Sequence, residues 1–275
     1  MDIAKGLSLA GALGVGRGAV VSFVGAAGKT TSMFRLAAEL CAAGLRVVTS
    51  TTTHISKDQV ELSPASVTPD HIDLLAARLD RYGQCLVVGS PDGTGRVFGA
   101  PPDLVETLAA RTDVDVVILE ADGSRSLPFK APAGHEPVVH PATTILAPIA
   151  GLQVLGQPLD EDHVHRPHLA AAIAGQPLGS PVTPATLARV LSHPEGGAKQ
   201  RPPAARLVPI LNRADTEADL EKGREAAALL MEYAAVDAVL LCRMRHDPPV
   251  SEAWARGRTQ SGGDALNHEN QDPGE

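Results

Sequence analysis

A short glycine-rich sequence constrains the fold of this chain more than any other feature. Residues 20–34 read VVSFVGAAGKTTSMF. The sequence is similar to a phosphate-binding P-loop, G-x-x-x-x-G-K-S/T, except that only two residues separate its glycines, Gly25 and Gly28. Two interpretations follow: a phosphate-binding loop of a shorter type, or an ordinary glycine-rich turn with an exposed lysine.

The sequence on either side favours the phosphate-binding loop. A strand pattern at residues 19–25 precedes it and a helix pattern at residues 31–43 follows it, as a P-loop requires. The positive end of such a helix attracts an anion, and glycines allow a tight turn whose N–H groups face inward. Lys29 is then expected to bridge the terminal phosphates, and the Thr30 hydroxyl to bind Mg²⁺. The residues predicted to hold the phosphates are Gly25, Ala26, Ala27, Gly28, Lys29, Thr30 and Thr31.

The rest of the chain alternates between short apolar runs and helical patterns. The strand-like runs after the loop are LRVVTST, QCLVVGS, VDVVILEAD, TTILAPI, RLVPILN and AVDAVLLC. Several are apolar at successive positions, which is typical of strands buried on both faces of a parallel sheet. The alternation predicts a doubly wound α/β fold with a mainly parallel sheet of the P-loop NTPase type.

Changes in composition suggest where this core is interrupted. Residues 151–205 are rich in Pro, His and Gly, and we expect a small helical, proline-rich insertion there, with short helices at 167–174 and 183–193. The polar end of the chain lacks periodicity, which is typical of disorder. The predicted divisions are an N-terminal segment (1–18), a P-loop α/β core (19–150), the insertion (151–205), a return to the core (206–256) and a disordered tail (257–275).

The overall composition excludes several classes of protein. A formal net charge of −8 argues against binding to nucleic acids or anionic membranes. The three cysteines are far apart and form no C-x-x-C pair, and the first residues do not read as a secretory leader. No apolar run reaches the roughly 18 residues that a membrane span needs. We therefore expect a cytoplasmic protein without a membrane anchor.

Two acidic residues end the apolar run VDVVILEAD. Glu120 and Asp122 lie where a P-loop fold places its Walker B acid, which holds Mg²⁺ directly or through water. We predict that both act with Lys29 in catalysis and that both bind the metal, and the sequence does not rank them. The hydroxyl-rich run at residues 49–53 adds Thr52 as a metal candidate, although threonines also simply favour strands.

A second polar element follows the run RLVPILN. Asn212, Arg213 and Asp215 resemble the N-K-x-D element with which GTPases recognise guanine, with arginine in place of lysine. This favours GTP slightly over ATP as the ligand. The alternative is that Asp215 caps a helix that starts near Thr216.

Two loops carry candidate substrate contacts. LPFKAPAGHEPVV contains Lys130, His135 and Glu136, and its prolines predict a rigid loop beside the sheet edge. LDEDHVHRPH contains His165 and Arg166, the latter as an anion contact. The histidines at 163, 165 and 168 could alternatively hold a metal, but Pro167 interrupts any shared helical face.

Several of these segments together resemble the YqeC family, which is associated with accessory proteins of selenium-dependent molybdenum hydroxylases. The matching segments are VVSFVGAAGKTT, VVTSTTTHI, VVILEADGSRSLPFKAPAGHEPVV, GQPLDEDHVHRPHL and PILNRAD. Ala27 departs from the pattern, which often has glycine there, and it is expected to keep a negative φ. The resemblance implies a cytoplasmic P-loop protein that acts in cofactor or metalloenzyme maturation.

Three functions agree with these observations. The first is an Mg²⁺-dependent GTPase or ATPase that assists maturation of a molybdenum hydroxylase or its cofactor. The second is a small-molecule kinase, nucleotidyltransferase or ligase that uses the same loop. The third is a nucleotide-regulated chaperone or carrier without turnover. The expected partners are the nucleotide and a molybdenum hydroxylase or its cofactor-assembly proteins, and association between copies of the chain is left open.

Overall fold

The computed structural model describes residues 1–101 and 103–256, so the tail predicted to be disordered (257–275) lies outside the described residues. The strands are β1 (Asp2–Leu7), β2 (Ala19–Gly25), β3 (Val47–Thr51), β4 (Ile55–Ser56), β5 (Ser66–Val67), β6 (Gln84–Val87), β7 (Arg96–Val97), β8 (Val116–Glu120), β9 (Phe129–Lys130), β10 (Ile145–Gly151), β11 (Val164–His165), β12 (Arg206–Leu207), β13 (Ile210–Asn212), β14 (Ala238–Cys242) and β15 (Val250–Ala255). The α-helices are α1 (Leu9–Leu13), α2 (Lys29–Ala42), α3 (Lys57–Val60), α4 (Leu75–Tyr82), α5 (Leu104–Ala109), α6 (Pro167–Ala174), α7 (Pro184–Ser192) and α8 (Glu217–Glu232). Short 3₁₀ helices cover Pro69–Leu74 and Leu152–Val154.

One sheet of eleven strands organises the molecule. Its strand order is β1-β15-β14-β13-β10-β2-β8-β3-β6-β5, and β12 pairs with β10 beside this path. All pairings from β14 to β5 are parallel, and antiparallel pairing occurs where β15 meets β14 and β1. The predicted α/β fold with a mainly parallel sheet is confirmed. The strand β2, which leads into the glycine-rich loop, lies at the centre between β10 and β8.

Helices cover both faces of this sheet. Val21 and Phe23 of β2 face a cluster built with α1 and α2. Val20 faces the opposite side, where α4 and α5 pack, and Val24 joins a third cluster formed by α6, α7 and α8. Because β2 is covered on both faces, nearly every residue along it is buried, which explains its continuous apolar run.

The region 151–205 packs against the same sheet. Its helix α6 has the predicted bounds, and α7 lies within the predicted range 183–193, with Thr183 as its N-cap. Both helices share a buried cluster with α8, and β11 pairs with β9 in a separate two-stranded sheet. The division of the chain at residues 151 and 205 stays a prediction.

Several elements were not predicted from the sequence, and three of them lie near the ends of the described chain. The strand β1 and the helix α1 lie in the region assigned only as an N-terminal segment, and β15 lies near the end of the described chain. The residues of β1 are almost all exposed, since β1 forms the sheet edge, so its sequence carries no apolar alternation. Along the described residues, no helix is both long enough and apolar enough to cross a bilayer.

An ion pair between the half-buried Arg224 of α8 and the buried Glu252 of β15 connects these two elements. Glu252 of β15 is 3% exposed, and its Oε1 accepts hydrogen bonds from Arg224 Nε and Nη2 at 3.0 and 2.8 Å. Glu252 Oε2 also accepts from Trp254 Nε1 at 3.2 Å. Arg224 makes a second contact, to the exposed Glu217, at 2.7 Å. A buried carboxylate depends on such partners, because burial without them is costly.

Replacement of Arg224 should therefore weaken the fold. Arg224→Ala is expected to lower the free energy of unfolding more than removal of an exposed charge does, because the buried Glu252 loses its main partner. Glu217→Ala is the matched control and is expected to cost less than about 1 kcal/mol, because that carboxylate is exposed. Urea denaturation followed by circular dichroism measures both values. Equal losses in the two variants would contradict the role of this ion pair.

Candidate functional site

The glycine-rich loop joins the central strand of the sheet to a long helix. β2 ends at Gly25, and α2 begins at Lys29, two residues before the predicted start at residue 31. Within the loop, Gly25, Ala27 and Gly28 have positive φ values of 91°, 65° and 122°. The loop therefore turns sharply and presents the free N–H groups at the start of α2 to the sheet edge.

Asp122 holds the beginning of this loop. The Gly25 N–H donates to both carboxylate oxygens of Asp122, at 3.0 and 3.1 Å. Asp122 is 1% exposed and lies between two ammonium groups, 3.4 Å from Lys29 Nζ and 2.9 Å from Lys130 Nζ. Asp122 thus lies beneath the loop, where both of its oxygens contact the Gly25 N–H. The predicted metal and catalytic roles of Asp122 stay predictions.

Glu120 lies on the accessible side of the loop. The Thr30 hydroxyl donates to Glu120 Oε2 at 2.6 Å, and Glu120 Oε1 lies 3.6 Å from Lys29 Nζ. Lys29 is 3% exposed, and its Nζ also donates to the Gly25 carbonyl at 2.7 Å. Hydroxyl and carboxylate oxygens are the ligands that Mg²⁺ prefers, so Thr30 and Glu120 fit a magnesium site.

Thr52 lies close to Glu120 but does not face the same space. Its N–H donates to the Glu120 carbonyl at 3.0 Å. The Thr52 hydroxyl is buried and has no hydrogen-bond partner among the described residues, whereas Thr53 lines the cleft described below. A metal contact from Thr52 stays a prediction.

The element at the end of β13 contacts the loop directly. The buried Asn212 donates from Nδ2 to the Ala27 carbonyl at 2.7 Å, and its Oδ1 accepts from the Met244 N–H at 3.3 Å. Asp215 is partly exposed and lies 3.8 Å from His246. These side chains surround a small cavity of about 80 Å³, which is lined by Gly28, Thr31, Asn212, Arg213, Asp215, Met244, Arg245 and His246.

The alternative role considered for Asp215 is wrong. Thr216, not Asp215, caps α8: its Oγ1 accepts from the Asp219 N–H at 3.1 Å, and the Asp219 side chain completes the capping box. The Asp215 carboxylate is therefore free of the helix end and faces the cavity beside the loop.

A much larger cleft of about 1080 Å³ opens over the loop. Ala27, Lys29, Thr30 and Glu120 form its floor. Four arginines on its walls make no ion pair with a carboxylate anywhere in residues 1–101 and 103–256, so the cleft is locally positive although the chain is negative overall. The cationic residues along the cleft are Lys29, Arg96, Arg125, Arg166, Arg213 and Arg245, and the four without an ion pair are Arg96, Arg125, Arg213 and Arg245.

The predicted substrate residues extend this network along one wall. The buried Lys130 donates to the Gly123 carbonyl at 2.6 Å and to Glu136 Oε2 at 2.8 Å. Arg166 donates to both oxygens of Glu136, at 2.7 and 3.1 Å. Burial alone would raise the pKa of Glu136, but the hydrogen bonds from Arg166 and Lys130 outweigh it and lower the pKa to about 2. Glu136 is therefore ionised at neutral pH.

His165 lies on the same wall. Burial, followed by the charges of Arg166, Lys130 and Arg125, lowers the pKa of His165 to about 4, so its imidazole is neutral at pH 7. His135 is 80% exposed and does not line the cleft.

The structure does not bring the three histidines together as a metal site. His163 Nδ1 contacts Asp160 at 2.7 Å, His165 is buried at the cleft, and His168 is exposed. Among the described residues, no group of three or more His, Cys, Asp or Glu side chains is arranged to hold a metal ion.

Among the cleft-lining residues that sequence reasoning did not single out are Arg125 and Arg245, and within the run 49–53 it chose Thr52 rather than Thr53. Each follows the carboxyl end of a parallel strand: β3 for Thr53, β8 for Arg125 and β14 for Arg245. Ligands of open α/β sheets bind at this edge. The position after each predicted strand was therefore the available signal.

Comparison with known proteins identifies the family. The family model described as "YqeC protein" matches residues 21–168. The protein "Uncharacterized protein YqeC" of Escherichia coli (strain K12) is 34% identical over 197 residues, which cover 72% of this chain and 77% of that protein. The chain belongs to the YqeC family. The family model spans the loop, both carboxylates and the wall from Lys130 to Arg166, while Asn212 and Asp215 lie beyond it.

Solved structures show a weaker similarity to this YqeC-family protein. The signal recognition particle receptor FtsY from Elizabethkingia anophelis is 16% identical, with a TM-score of 0.31, over 82% of this chain and 50% of that chain. Chloroplast FtsY from Physcomitrella patens is 17% identical, with a TM-score of 0.32, over 84% of this chain and 52% of that chain. The chain thus spans about half the length of these receptors.

The conformation of Ala27 corrects an expectation. A negative φ was predicted for this alanine, but its φ is 65°, in the left-handed region. That region costs a residue with a Cβ about 1–2 kcal/mol. The hydrogen bond from Asn212 Nδ2 to the Ala27 carbonyl holds this conformation, so contacts across the sheet edge outweigh the local preference.

Two substitutions in the loop should therefore have opposite effects. Ala27→Gly is expected to raise the free energy of unfolding by up to about 1 kcal/mol, because glycine adopts this φ without a steric cost. Gly28→Ala is expected to lower it by about 2 kcal/mol or more, because φ is 122° and the new Cβ would lie 2.6 Å from Asn212 Nδ2. Urea denaturation measures both, and a loss of stability in Ala27→Gly would contradict the strained loop.

Proposed function

We propose that this YqeC-family protein is an Mg²⁺-dependent enzyme that binds a nucleoside triphosphate and hydrolyses it, with GTP preferred over ATP. The observation that carries the proposal is the meeting of three groups at the sheet edge. Lys29 and Thr30, from the first turn of α2, both contact Glu120 at the end of β8, at 3.6 and 2.6 Å. An ammonium, a hydroxyl and a carboxylate at the start of a helix are the parts that a triphosphate site requires.

Lys29 is placed to receive the terminal phosphates. Its ammonium is buried beneath the loop and now contacts the Gly25 carbonyl, Glu120 and Asp122. Lys130 supplies Asp122 with a second positive charge at 2.9 Å. The ammonium of Lys29 is therefore not the sole partner of Asp122, and it can turn toward a phosphate without leaving that buried carboxylate unpaired.

Thr30 and Glu120 would hold the magnesium ion. When bound, Mg²⁺ neutralises negative charge on the β- and γ-phosphate oxygens. Thr30 would contribute its hydroxyl oxygen and Glu120 its carboxylate. Asp122 fixes the Gly25 N–H and the Lys29 ammonium relative to these ligands, which is a positioning role.

The preference for GTP rests on the element after β13. Asn212 fixes this element against the loop through its hydrogen bond to the Ala27 carbonyl. Asp215 therefore lines the same cavity as Gly28 and Thr31, along the path from the phosphates to a base. A carboxylate there accepts hydrogen bonds from the N1–H and N2–H groups of guanine, which adenine does not offer. The aliphatic part of Arg213 would cover the base.

Group transfer to a small molecule is a second candidate reaction. The cleft continues past the P-loop residues to Glu136, His165 and Arg166, which a hydrolase for free nucleotide does not need. In such a transfer, an acceptor hydroxyl loses its proton to solvent and its oxygen bonds to the γ-phosphorus. The bond from that phosphorus to the β–γ bridging oxygen breaks, and nucleoside diphosphate leaves.

The biological setting that we propose is maturation of a molybdenum hydroxylase or its cofactor, including selenium-dependent hydroxylases. This part rests on the family resemblance alone. The nucleotide site can be tested without it.

Calorimetric titration with Mg²⁺ and GTP tests the nucleotide site. The wild-type chain is expected to bind, and Lys29→Ala is expected to weaken binding at least about tenfold, because a charged hydrogen-bond donor to phosphate is lost. Lys57→Ala is the matched control, since this exposed lysine lies outside the cleft. Equal affinity in wild type and Lys29→Ala would overturn the proposal.

The same titration tests the base. Asp215→Asn is expected to weaken binding of GTP and to strengthen binding of xanthosine triphosphate, because an amide can donate to the O2 atom that replaces the guanine amino group. Asp58→Asn serves as the control, because Asp58 lines the large cleft but not the cavity at Asp215. If Asp215→Asn leaves the ratio of the two affinities unchanged, Asp215 does not recognise the base.

A further inference from the structure

The cleft has a second charged wall that the nucleotide roles leave unused. Beyond the loop, the cleft is bounded by Glu136, by His165 and Arg166 at the end of β11, and by Arg125. Arg125 follows the carboxyl end of β8 and makes no ion pair with any carboxylate in the described part of the chain. The proposed nucleotide site therefore leaves this wall without a ligand.

Backbone pairing holds this wall rigidly. His165 lies opposite Lys130 in the parallel pairing of β11 with β9, and the Ala131 N–H donates to the His165 carbonyl at 3.2 Å. Lys130 is 4% exposed and is fixed by Gly123, Glu136 and Asp122. A wall built on buried, paired charges keeps its geometry before any ligand arrives.

Arg166 is held in one orientation and still has N–H donors available. Its Nη1 and Nη2 donate to Glu136, which fixes the plane of the guanidinium. A guanidinium has five N–H donors, and the two bonds to Glu136 leave others available to a ligand in the cleft. A planar donor group held in one orientation suits a carboxylate or a phosphate.

His165 offers a different kind of contact. Burial, together with the charges of Arg166, Lys130 and Arg125, lowers its pKa to about 4, so the ring is neutral at physiological pH. A neutral imidazole has one nitrogen that accepts a hydrogen bond. No hydrogen bond to the His165 ring occurs within residues 1–101 and 103–256, so this nitrogen is available to a hydroxyl group.

A chain of ion pairs places the wall at the γ-phosphate end of the site. Asp122 contacts Lys29 at 3.4 Å and Lys130 at 2.9 Å, and Glu136 contacts Lys130 at 2.8 Å and Arg166 at 2.7 Å. The wall is thus linked to the phosphate-binding lysine. The cavity at Asp215, proposed for the base, lies beside Gly28 and Thr31 instead, at the other end of the nucleotide's path.

We propose that Arg125, His165 and Arg166 form a second substrate site, next to the γ-phosphate, for a small anion that carries a hydroxyl group. Arg125 and Arg166 bind its carboxylate or phosphate, and His165 accepts a hydrogen bond from its hydroxyl. This assignment rests on the proposed nucleotide site for its neighbour, but the anion contacts themselves do not need a nucleotide.

Inorganic phosphate is the first probe. The full chain is saturated with Mg²⁺ and a non-hydrolysable GTP analogue, and phosphate is titrated by calorimetry at millimolar concentrations. One phosphate is expected to bind per chain, and Arg125→Gln and Arg166→Gln are each expected to weaken it about tenfold or more. Arg125→Gln is the safer variant for folding, because this exposed side chain pairs with no described carboxylate.

Arg96→Gln is the matched control. It removes the same charge from the same cleft, but Arg96 lies on β7, which pairs with β4, and it donates to the His54 carbonyl. If phosphate binding falls equally in Arg96→Gln and Arg125→Gln, the overall positive charge of the cleft attracts the phosphate. That result would overturn the proposal of a defined site. Absence of phosphate binding to the wild-type chain would also overturn it.

Lys29→Ala separates this proposal from the nucleotide site. Phosphate binding that persists in Lys29→Ala and still depends on Arg125 supports the second site even if no nucleotide binds. If phosphate binding in the wild-type chain disappears in Lys29→Ala, the probe occupies the loop and the second site fails.

The hydroxyl contact has its own test. Glycerol 3-phosphate is expected to bind more tightly than propyl phosphate, and His165→Phe is expected to abolish the difference. Equal affinities of the two probes for the wild-type chain would overturn the role of His165.

Discussion

The rest of the site depends on one contact. From beneath the loop, the Asp122 carboxylate accepts a hydrogen bond from the Gly25 N–H. It holds the Gly25 N–H at the end of β2, where the chain turns into the loop that precedes α2. The same carboxylate pairs with Lys29 and Lys130, and Lys130 in turn pairs with Glu136. Burying such a network gives little net stability, because desolvation offsets the attraction between the charges. Its consequence is structural: the network holds the loop at a fixed position relative to the cleft wall that contains Glu136.

The two acidic residues at the end of β8 differ because the strand ends at Glu120 and Asp122 lies beyond it. In a continuous strand, residues two apart would face the same side of the sheet. Glu120 faces the cleft and meets Thr30, whereas Asp122 turns under the loop and meets the Gly25 N–H. A ligand can therefore bind Glu120 without breaking the hydrogen bond between the Gly25 N–H and Asp122. The cleft is also locally positive, because arginines line it although the net charge of the chain is −8.

Much of the fold could be predicted because its signals are local. The bounds of β2 and α6 follow from a continuous apolar run and from Pro167 at the first turn of a helix. The edge strand β1 gave no such signal, since its residues are exposed. The ranking of Glu120 and Asp122, the positive φ of Ala27 and the position of Arg125 all depend on contacts between distant parts of the chain. Periodicity and motif spacing contain no information about such contacts.

In the proposed site, Lys29, Thr30 and Glu120 hold a magnesium-bound triphosphate while Asp122 only positions the loop. A crystal structure of the chain with Mg²⁺ and a non-hydrolysable GTP analogue tests it most directly. The proposed arrangement predicts Lys29 Nζ on the terminal phosphates, Thr30 and Glu120 at the metal, and Asp122 still bound to the Gly25 N–H. A structure in which Asp122 leaves Gly25 to bind the metal, or in which the triphosphate lies away from the loop, would contradict it.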